Sequence, residues 1–277
     1  MKKLFVYIAT IRPLNVILGG LTIVISSFIV KYNGPFVIFA VLVVMFYTAG
    51  ANTLNDYFDY KIDKINRPDR AISSGLVLRN HAIIFSLFAF ILGTLFALQL
   101  NKNSQLVAVG VSLPLIIGYN AKLKNFPLIG NIVVALILSL SFIYAGFVFD
   151  NIKPLIIPAL LAFGLTLIRE IVKDMADVIG DKAVALKTFP IIYGENKTIV
   201  LCTALSALLG IGSFVPFITG YYNVFYGILL ILTVEIPLAV VVILLLNKPS
   251  IATAKRSAKL LKFSTLGGLF SIYIGTI

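Results

Sequence analysis

Long apolar segments constrain the fold of this chain more than any other feature of its sequence. Nine such stretches follow one another, each of about the 20 residues that a helix needs to cross the hydrocarbon core of a bilayer. They are 13–31, 35–55, 81–100, 105–121, 127–149, 154–171, 198–219, 223–247 and 258–277. The sequence therefore predicts an all-α, polytopic membrane protein with about nine transmembrane helices.

The composition supports this interpretation and excludes several other classes of protein. Of the 277 residues, 60% are hydrophobic and 12% are charged, whereas soluble domains have about 45–50% apolar and about 25% charged residues. One Cys and one His exclude a disulfide framework and a Cys/His zinc site, so any metal must have oxygen ligands. The net charge of +12 is spread between apolar runs, so we expect a lipid bilayer and no nucleic acid as partner.

The basic residues are distributed unevenly between the two sides of the predicted membrane domain. Twenty of the 23 Lys and Arg residues lie on the side of the N-terminus and the longer loops, and three lie on the other side. By the positive-inside rule, the N-terminus and the longer loops are cytoplasmic in a multi-pass protein of the cell membrane. No signal peptide or soluble domain is evident, so we expect residues 1–277 to form a single membrane-embedded domain.

Two sets of polar residues lie at the end of the second predicted span and after the sixth. The first aspartate set is Asn52, Asn55, Asp56, Asp59 and Asp63, and the second is Asp174, Asp177 and Asp181. Steps of four residues place side chains on one helical face, where like charges repel unless a cation lies between them. Carboxylates without His or Cys suit Mg²⁺, which takes one or two of them and completes its shell with water and phosphate oxygens. We therefore expect the six aspartates to bind Mg²⁺ and a diphosphate, with solvated helix ends as the alternative.

Basic side chains accompany both aspartate sets. Arg67 and Arg70 follow the first set, and Lys173 lies next to the second. Arg binds phosphate oxygens through two parallel hydrogen bonds and Lys binds them as a point charge, so we expect these three residues to bind substrate. The alternative is that they belong to the ordinary basic loading of cytoplasmic loops.

The spacing Asn55, Asp59, Asp63 and the spacing Asp177, Asp181 resemble the two motifs of the UbiA superfamily of intramembrane prenyltransferases. The likeness covers nearly the whole chain, including Arg12-Pro-Leu-Asn-Val at the start of the first span. It implies a ring of helices around a central cavity, with a polar cap on the cytoplasmic side and a lateral opening to lipid.

Within that family, residues 55–75 and 169–190 look most like the enzymes that form the second ether bond of archaeal membrane lipids. The resemblance implies Mg²⁺-dependent transfer of a geranylgeranyl group from geranylgeranyl diphosphate to the free hydroxyl of geranylgeranylglyceryl phosphate. The catalytic residues would be Asp59, Asp63, Asp177 and Asp181, and Asn52 and Asn55 would bind substrate.

Further candidates are less specific. The phosphate of the acceptor requires additional cations, for which Lys122 and Lys124 are candidates. The family has a Tyr-x-x-x-Lys-Arg pattern, whereas residues 119–124 read Tyr-Asn-Ala-Lys-Leu-Lys here. It therefore stays open whether Lys122 or Lys124 takes the role of the family's lysine. Asn15 binds either substrate or a neighbouring helix. Aromatic rings stabilise cations, so Tyr57, Tyr119 and Tyr144 are candidates to line the site of an allylic cation.

Two alternatives to this function remain open at the level of sequence. The same chemistry on an aromatic quinone precursor would involve no acceptor phosphate, so charge reversal at Lys122 or Lys124 would matter less. A divalent-cation transporter would also place carboxylates in the membrane, but transport sites usually lie near the midplane and these aspartates lie at one edge. Glu235 is an isolated carboxylate in the eighth span, and its partner is not visible from the sequence.

Overall fold

The computed structural model describes residues 2–277, with side chains from residue 6 onward, and it contains no β-strand over that range. Residues 2–277 form twelve helices besides a short 3-10 turn, and we number them in chain order. They are α1 (Lys2–Thr10), α2 (Pro13–Ile29), α3 (Phe36–Phe58), α4 (Tyr60–Asn66), α5 (Arg79–Ala97), α6 (Lys102–Ala121), α7 (Ile129–Val148), α8 (Lys153–Ala183), α9 (Phe189–Tyr193), α10 (Glu195–Ile218), α11 (Val224–Asn247) and α12 (Ile251–Gly275). The predicted all-α class is confirmed.

Seven of these helices are long and apolar enough to cross a membrane, namely α3, α5, α6, α7, α8, α10 and α11. The helix α2 is apolar but has only 17 residues, and the first half of α12 carries several basic residues. The seven helices, together with α2 and α12, overlap all nine predicted spans. The multi-pass membrane architecture is therefore confirmed. The count of nine crossings stays a prediction.

One predicted helix end is wrong. The sixth span was expected to end at residue 171, but α8 continues to Ala183, so the second aspartate set lies on a helix and not in a loop. The second span was expected to end at residue 55, and α3 ends close to it, at Phe58. Neither extension contains a proline, and polar residues are compatible with a helix that leaves the apolar layer.

The described chain divides into two compact units. Unit 1 contains the residues up to Leu123 together with Leu140–Leu155 and Ile179–Ala185. Unit 2 contains Lys124–Ser139, Ile156–Val178 and Leu186–Ile277. The helices α7 and α8 therefore each contribute segments to both units.

Within unit 1, α3 packs closely against α5 through small and hydroxyl-bearing residues. A Cβ atom added to Gly50 would lie 2.6 Å from Cε1 of Phe90, so a larger residue at this position would require the Phe90 ring to shift. Thr53 and Ser86 are fully buried, and their hydroxyl oxygens are 2.7 Å apart in a hydrogen bond. Such contacts are typical of membrane helices, because lipid provides no hydrophobic driving force for helix association. They fix the end of α3, which carries the first aspartate set.

Within unit 2, hydrogen bonds connect α10 with α11. The hydroxyl of Tyr226 donates to the carbonyl of Ser213 at 2.7 Å, and Oγ of Ser213 donates to Oε1 of Glu235 at 2.8 Å. Glu235 ends a π-helical turn, Ile231–Glu235, inside α11. The partner of this intramembrane carboxylate is therefore a serine on the preceding helix, 22 residues away in the chain.

Candidate active site

The first aspartate set lies where α3 meets α4. Asp59 occupies the junction between the two helices, with φ −84° and ψ 7°. Its backbone N–H still donates to the carbonyl of Asn55 at 2.8 Å, and the N–H of Asp63 donates to the carbonyl of Asp59 at 2.7 Å. The helical hydrogen-bond pattern continues across the junction, so these residues keep the four-residue spacing predicted from the sequence.

Arginine side chains neutralise the two most buried carboxylates of this set. Asp56 and Asp63 are 4% and 1% exposed. Nη1 of Arg70 donates to Oδ2 of Asp63 at 2.6 Å and lies 3.3 Å from Oδ1 of Asp56. Nη1 of Arg67 lies 3.5 Å from Oδ1 of Asp63. Charged groups are costly to bury unless they are paired, so both arginines stabilise the carboxylates beside which the sequence predicted them.

Arg12 joins the same set and was not predicted as a site residue. It lies between α1 and α2 with φ 54°, in the left-handed region that non-glycine residues seldom adopt. One guanidinium nitrogen, Nη2, contacts Asp56 and also donates to Oδ1 of Asn55 at 3.0 Å, and Nη1 lies 3.5 Å from Oδ1 of Asn52. Strained backbone conformations cluster at functional sites. The sequence signal for this residue is an arginine directly before the proline that begins a span.

The surroundings of Arg70 both disfavour and favour the charged form of its guanidinium. Burial lowers the pKa of Arg70, and the neighbouring charge of Arg12 lowers it further, whereas Asp63 and Asp56 raise it. An arginine nevertheless stays protonated under ordinary conditions. Arg12 and Arg70 therefore place two positive charges at Asp56, close to where an anionic ligand of the aspartate set would bind.

Asn55 connects the first aspartate set to α6. Its Nδ2 donates to Oδ2 of Asp59 at 2.8 Å and to Oδ1 of Asn120 at 3.3 Å. Asn120 is buried, and its own amide donates to the carbonyl of Ile116 at 2.9 Å. Asn120 was not predicted, although it directly follows the predicted residue Tyr119, which is half-buried. The amide of Asn55 thus orients the carboxylate of Asp59.

The C-terminal end of α8 belongs to unit 1 and contacts α4. The N–H of Gly180 donates to Oδ1 of Asn66 at 3.1 Å, although the two residues are 114 positions apart. Asp181 is the next residue and is 6% exposed, and Asp177 lies one turn earlier on the same helix and is 8% exposed. The last aspartate of the second set therefore lies in the same compact unit as the first set.

We expect Gly180→Ala to reduce activity by about ten- to a hundredfold, because an error of about 1 Å in a catalytic group has effects of this size. A Cβ atom at this position would overlap the carboxamide of Asn66, so that side chain would have to give up its hydrogen bond to Gly180 or α4 would have to shift. Steady-state rates and thermal unfolding of the purified variant would measure the effect.

The matched control is Gly212→Ala on α10, where an added Cβ meets no atom within 4 Å. The double variant Gly180→Ala with Asn66→Ala removes the overlapping side chain and should recover part of the lost rate. Equal activity of Gly180→Ala and wild-type protein would show that this contact does not position Asp181.

Charged residues also lie on the part of α8 that belongs to unit 2. Glu170 is 5% exposed and accepts hydrogen bonds from Nη1 of Arg169 at 2.6 Å and from Nζ of Lys173 at 2.9 Å. Asp174 accepts a hydrogen bond of 2.8 Å from Nδ2 of Asn131 on α7. Lys173 was predicted to bind substrate and Asp174 to bind metal, whereas Glu170 and Asn131 were not predicted as site residues.

The remaining predicted residues have varied surroundings. Asn15 is half-buried in the first turn of α2. Lys122 is exposed just after α6, and Lys124 is half-buried in the short 3-10 turn that follows. Tyr144 is buried on α7 and its hydroxyl makes no hydrogen bond, while Tyr57 stacks under the guanidinium of Arg79 at 4.3 Å. Substrate contacts of these residues stay predictions.

The aspartates provide donors that fit Mg²⁺. Within residues 2–277, no three His, Cys, Asp or Glu side chains are close enough to hold a metal by themselves. Mg²⁺ does not require this, because it usually takes one or two carboxylates and completes its shell with water and substrate phosphate. Asp56 is paired with arginines and Asp174 with Asn131. Asp63 is likewise paired with Arg67 and Arg70, so which of the six aspartates hold the ion stays a prediction.

The sequence of this chain is similar to that of known proteins over most of its length. The sequence model of the UbiA prenyltransferase family matches residues 16–266. Digeranylgeranylglyceryl phosphate synthase of Methanothermobacter thermautotrophicus is 34% identical over 256 residues, which cover 92% of this chain and 90% of the relative. The synthase of the same name from Pyrococcus horikoshii is 35% identical over 275 residues, which cover 98% of this chain and 97% of that protein.

Solved structures show the same fold. A solved structure of a study on digeranylgeranylglyceryl phosphate synthase in membranes superposes on this chain with a TM-score of 0.78 and 31% sequence identity. The superposition covers 100% of this chain and 99% of the solved chain. A UbiA homologue from Archaeoglobus fulgidus, bound to DMAPP and Mg²⁺, has a TM-score of 0.62 at 18% identity, with coverage of 96% and 98%. The second likeness concerns the fold alone.

Proposed function

This chain belongs to the UbiA prenyltransferase family, and on that premise we propose that it transfers a geranylgeranyl group to geranylgeranylglyceryl phosphate. The donor is geranylgeranyl diphosphate, and the product contains the second ether bond of an archaeal membrane lipid. Two relatives that carry the name of this synthase match 92% and 98% of the chain. The proposal is therefore based on likeness over nearly the full length.

One structural observation carries the proposal. In unit 1, the three arginines Arg12, Arg67 and Arg70 gather around the buried carboxylates of Asp56 and Asp63 at the polar end of an apolar helix. Carboxylates bind a divalent ion, and guanidinium groups bind phosphate oxygens. The combination suits the metal-bound diphosphate of a lipid-soluble donor better than it suits a transported ion, which needs no phosphate partner.

The proposed mechanism uses residues of both aspartate sets. Asp59, Asp63, Asp177 and Asp181 would hold Mg²⁺, with one or two of these carboxylates to each ion. The metal would supply the positive charge that neutralises the diphosphate as the C–O bond breaks. Arg67 and Arg70 would donate to the phosphate oxygens, and Asn55 would keep the Asp59 carboxylate in position.

The reacting carbon must be protected from water once the diphosphate leaves. Apolar helices exclude water, and the faces of Tyr57, Tyr119 and Tyr144 can stabilise an allylic cation by about 0.5–2 kcal/mol each. The acceptor hydroxyl then attacks the allylic carbon, and its proton passes to a carboxylate or to the departing diphosphate.

We also propose the placement of the protein in the cell. The two units would act as one membrane-embedded domain, since the family match from 16 to 266 includes residues of both. The N-terminus and the helix ends that carry the aspartate sets would face the cytoplasm of a cell membrane, as the distribution of Lys and Arg predicts.

Removal of divalent metal is expected to abolish transfer. EDTA should reduce product formation to background, and excess Mg²⁺ should restore it, because the diphosphate would otherwise leave as an unneutralised anion. Ca²⁺ should restore less activity, since it prefers six to eight oxygen ligands at longer distances. Product formation in detergent, measured with radiolabelled donor, would test this. Full activity in EDTA would contradict the proposed role of the aspartates.

A further inference from the structure

We propose that Arg169 and Lys173 on α8 form the binding site for the phosphate monoester of the acceptor lipid, with Glu170 holding both cations in position. This inference rests on the proposed function, because only an acceptor with a phosphate needs such a site. It also deepens that function, since it identifies residues that would distinguish this acceptor from one without a phosphate.

The two cations lie on the same side of α8 as the second motif. Arg169, Lys173 and Asp177 follow one another at intervals of four residues, and α8 is a continuous helix over this range. Steps of four residues keep side chains on one helical face and advance about 6 Å along the axis. The helix therefore carries two basic residues one and two turns before its first motif aspartate.

Glu170 keeps the two cationic groups together. It is 5% exposed, and its two carboxylate oxygens each accept one hydrogen bond, from Arg169 at 2.6 Å and from Lys173 at 2.9 Å. Two cations and one carboxylate leave one formal positive charge on the three side chains. A buried carboxylate shared by two cations is a rigid support, and it leaves the other N–H groups of both cations available for an anion.

One of those N–H groups has no partner within the protein. Nε of Arg169 is buried and makes no hydrogen bond. A buried donor without an acceptor is costly, and the great majority of such groups in proteins are paired. Nε is closed to solvent in this structure, so a phosphate oxygen would accept from it once the Arg169 side chain turns toward the ligand.

The exposure of these side chains also indicates a polar ligand. The side chains of Arg169 and Lys173 are 23% and 32% exposed, although they lie within a helix that is apolar enough to cross a membrane. Charged groups in such segments face water-filled or protein-lined space and avoid lipid. Their free sides therefore point into a space that a charged ligand can enter.

Two phosphate sources have to be distinguished, the acceptor monoester and the donor diphosphate. We assign the donor diphosphate to the arginines around Asp56 and Asp63, together with the motif aspartates and a metal. The acceptor phosphate adds about 1.5–2 further negative charges at neutral pH. Arg169 and Lys173 are two further cations, and Glu170 holds them together. We therefore assign them to the phosphate of the acceptor.

The test is steady-state kinetics of the full-length enzyme in detergent with the variant Arg169→Gln, varying each substrate in turn. Glutamine keeps a donor for Glu170 but removes the charge and the Nε donor. We expect the KM for geranylgeranylglyceryl phosphate to rise at least about tenfold, the usual effect of losing a hydrogen bond to a charged group. The KM for geranylgeranyl diphosphate should not change.

Two further variants complete the experiment. Lys173→Gln removes the second cation and leaves the pair of Arg169 and Glu170 intact. It should also raise the KM for geranylgeranylglyceryl phosphate without changing the KM for geranylgeranyl diphosphate. Arg256→Gln is the matched control, since Arg256 is an exposed arginine on α12. Unchanged acceptor KM in both site variants, or an equal rise in donor KM, would overturn this inference alone. Failure of the wild-type enzyme to use the phosphorylated acceptor would overturn the proposed function and this inference with it.

Discussion

The variant Asp63→Asn is expected to transfer prenyl groups at least about 10²–10³-fold more slowly than the wild-type enzyme, as is usual when a group that stabilises transition-state charge is removed. Asparagine has nearly the same shape as aspartate, so it fits a site that is 1% exposed. It carries no charge, however, and cannot replace a carboxylate beside Arg70 or as a ligand of Mg²⁺. The rate of ether formation at saturating substrate would measure this loss.

The matched control for this variant is Asp150→Asn. Asp150 is exposed between α7 and α8 and has φ 51°, a conformation that asparagine also tolerates. The control should retain wild-type activity, and circular dichroism should show that both variants are folded. An Asp63→Asn enzyme with more than a tenth of the wild-type rate would contradict the role assigned to this carboxylate.

The second large effect is expected for Arg70→Gln, which should affect both stability and donor binding. Arg70 pairs with the buried carboxylates of Asp56 and Asp63, and breaking a buried pair typically costs about 3–5 kcal/mol. We expect a smaller loss of about 1–3 kcal/mol, because the Arg70 side chain is 25% exposed and Arg12 and Arg67 remain in place. The KM for the donor should rise about tenfold with the loss of a charge-assisted hydrogen bond.

A double variant separates these two effects. Arg70→Gln with Asp56→Asn removes one of the carboxylates that the first change leaves poorly paired, and an asparagine can still accept from Arg12. The double variant should therefore regain part of the unfolding temperature, whereas the donor KM should stay high. Coupling of this kind is expected for residues in direct contact. An unchanged unfolding temperature and donor KM in Arg70→Gln would show that this arginine is neither structural nor a phosphate ligand.

Features that depend on neighbouring residues in the chain could be predicted from the sequence. Runs of apolar residues predicted the helices that cross the membrane, because the length of such a run is set by bilayer thickness. The four-residue spacing of Asn55, Asp59 and Asp63 predicted a helical arrangement, and the hydrogen bonds across Asp59 preserve it. The position of Arg67 and Arg70 near the first aspartate set was also predicted, since they lie within two turns of Asp63, whereas their role in binding substrate stays a prediction.

Features that depend on distant residues could not be predicted in the same way. Arg12 contacts Asp56 across 44 positions, and Asn66 contacts Gly180 across 114 positions. Helical periodicity contains no information about such pairs, which arise only when whole helices pack. The end of α8 was also missed, because apolar runs report where a helix leaves the lipid and not where it ends. Polar residues continue that helix for twelve positions beyond the predicted span, to Ala183.

The measurement that tests the central claim most directly is the identity of the product. Purified protein in detergent would receive geranylgeranyl diphosphate with either geranylgeranylglyceryl phosphate or 4-hydroxybenzoate, in Mg²⁺ or in EDTA. Asp59→Ala and Asp177→Ala would serve as inactive variants. We predict Mg²⁺-dependent formation of the diether, lost in both variants. Prenylated benzoate without diether would contradict the proposed acceptor, and the absence of both products together with no binding of the diphosphate would contradict the assignment as a prenyltransferase.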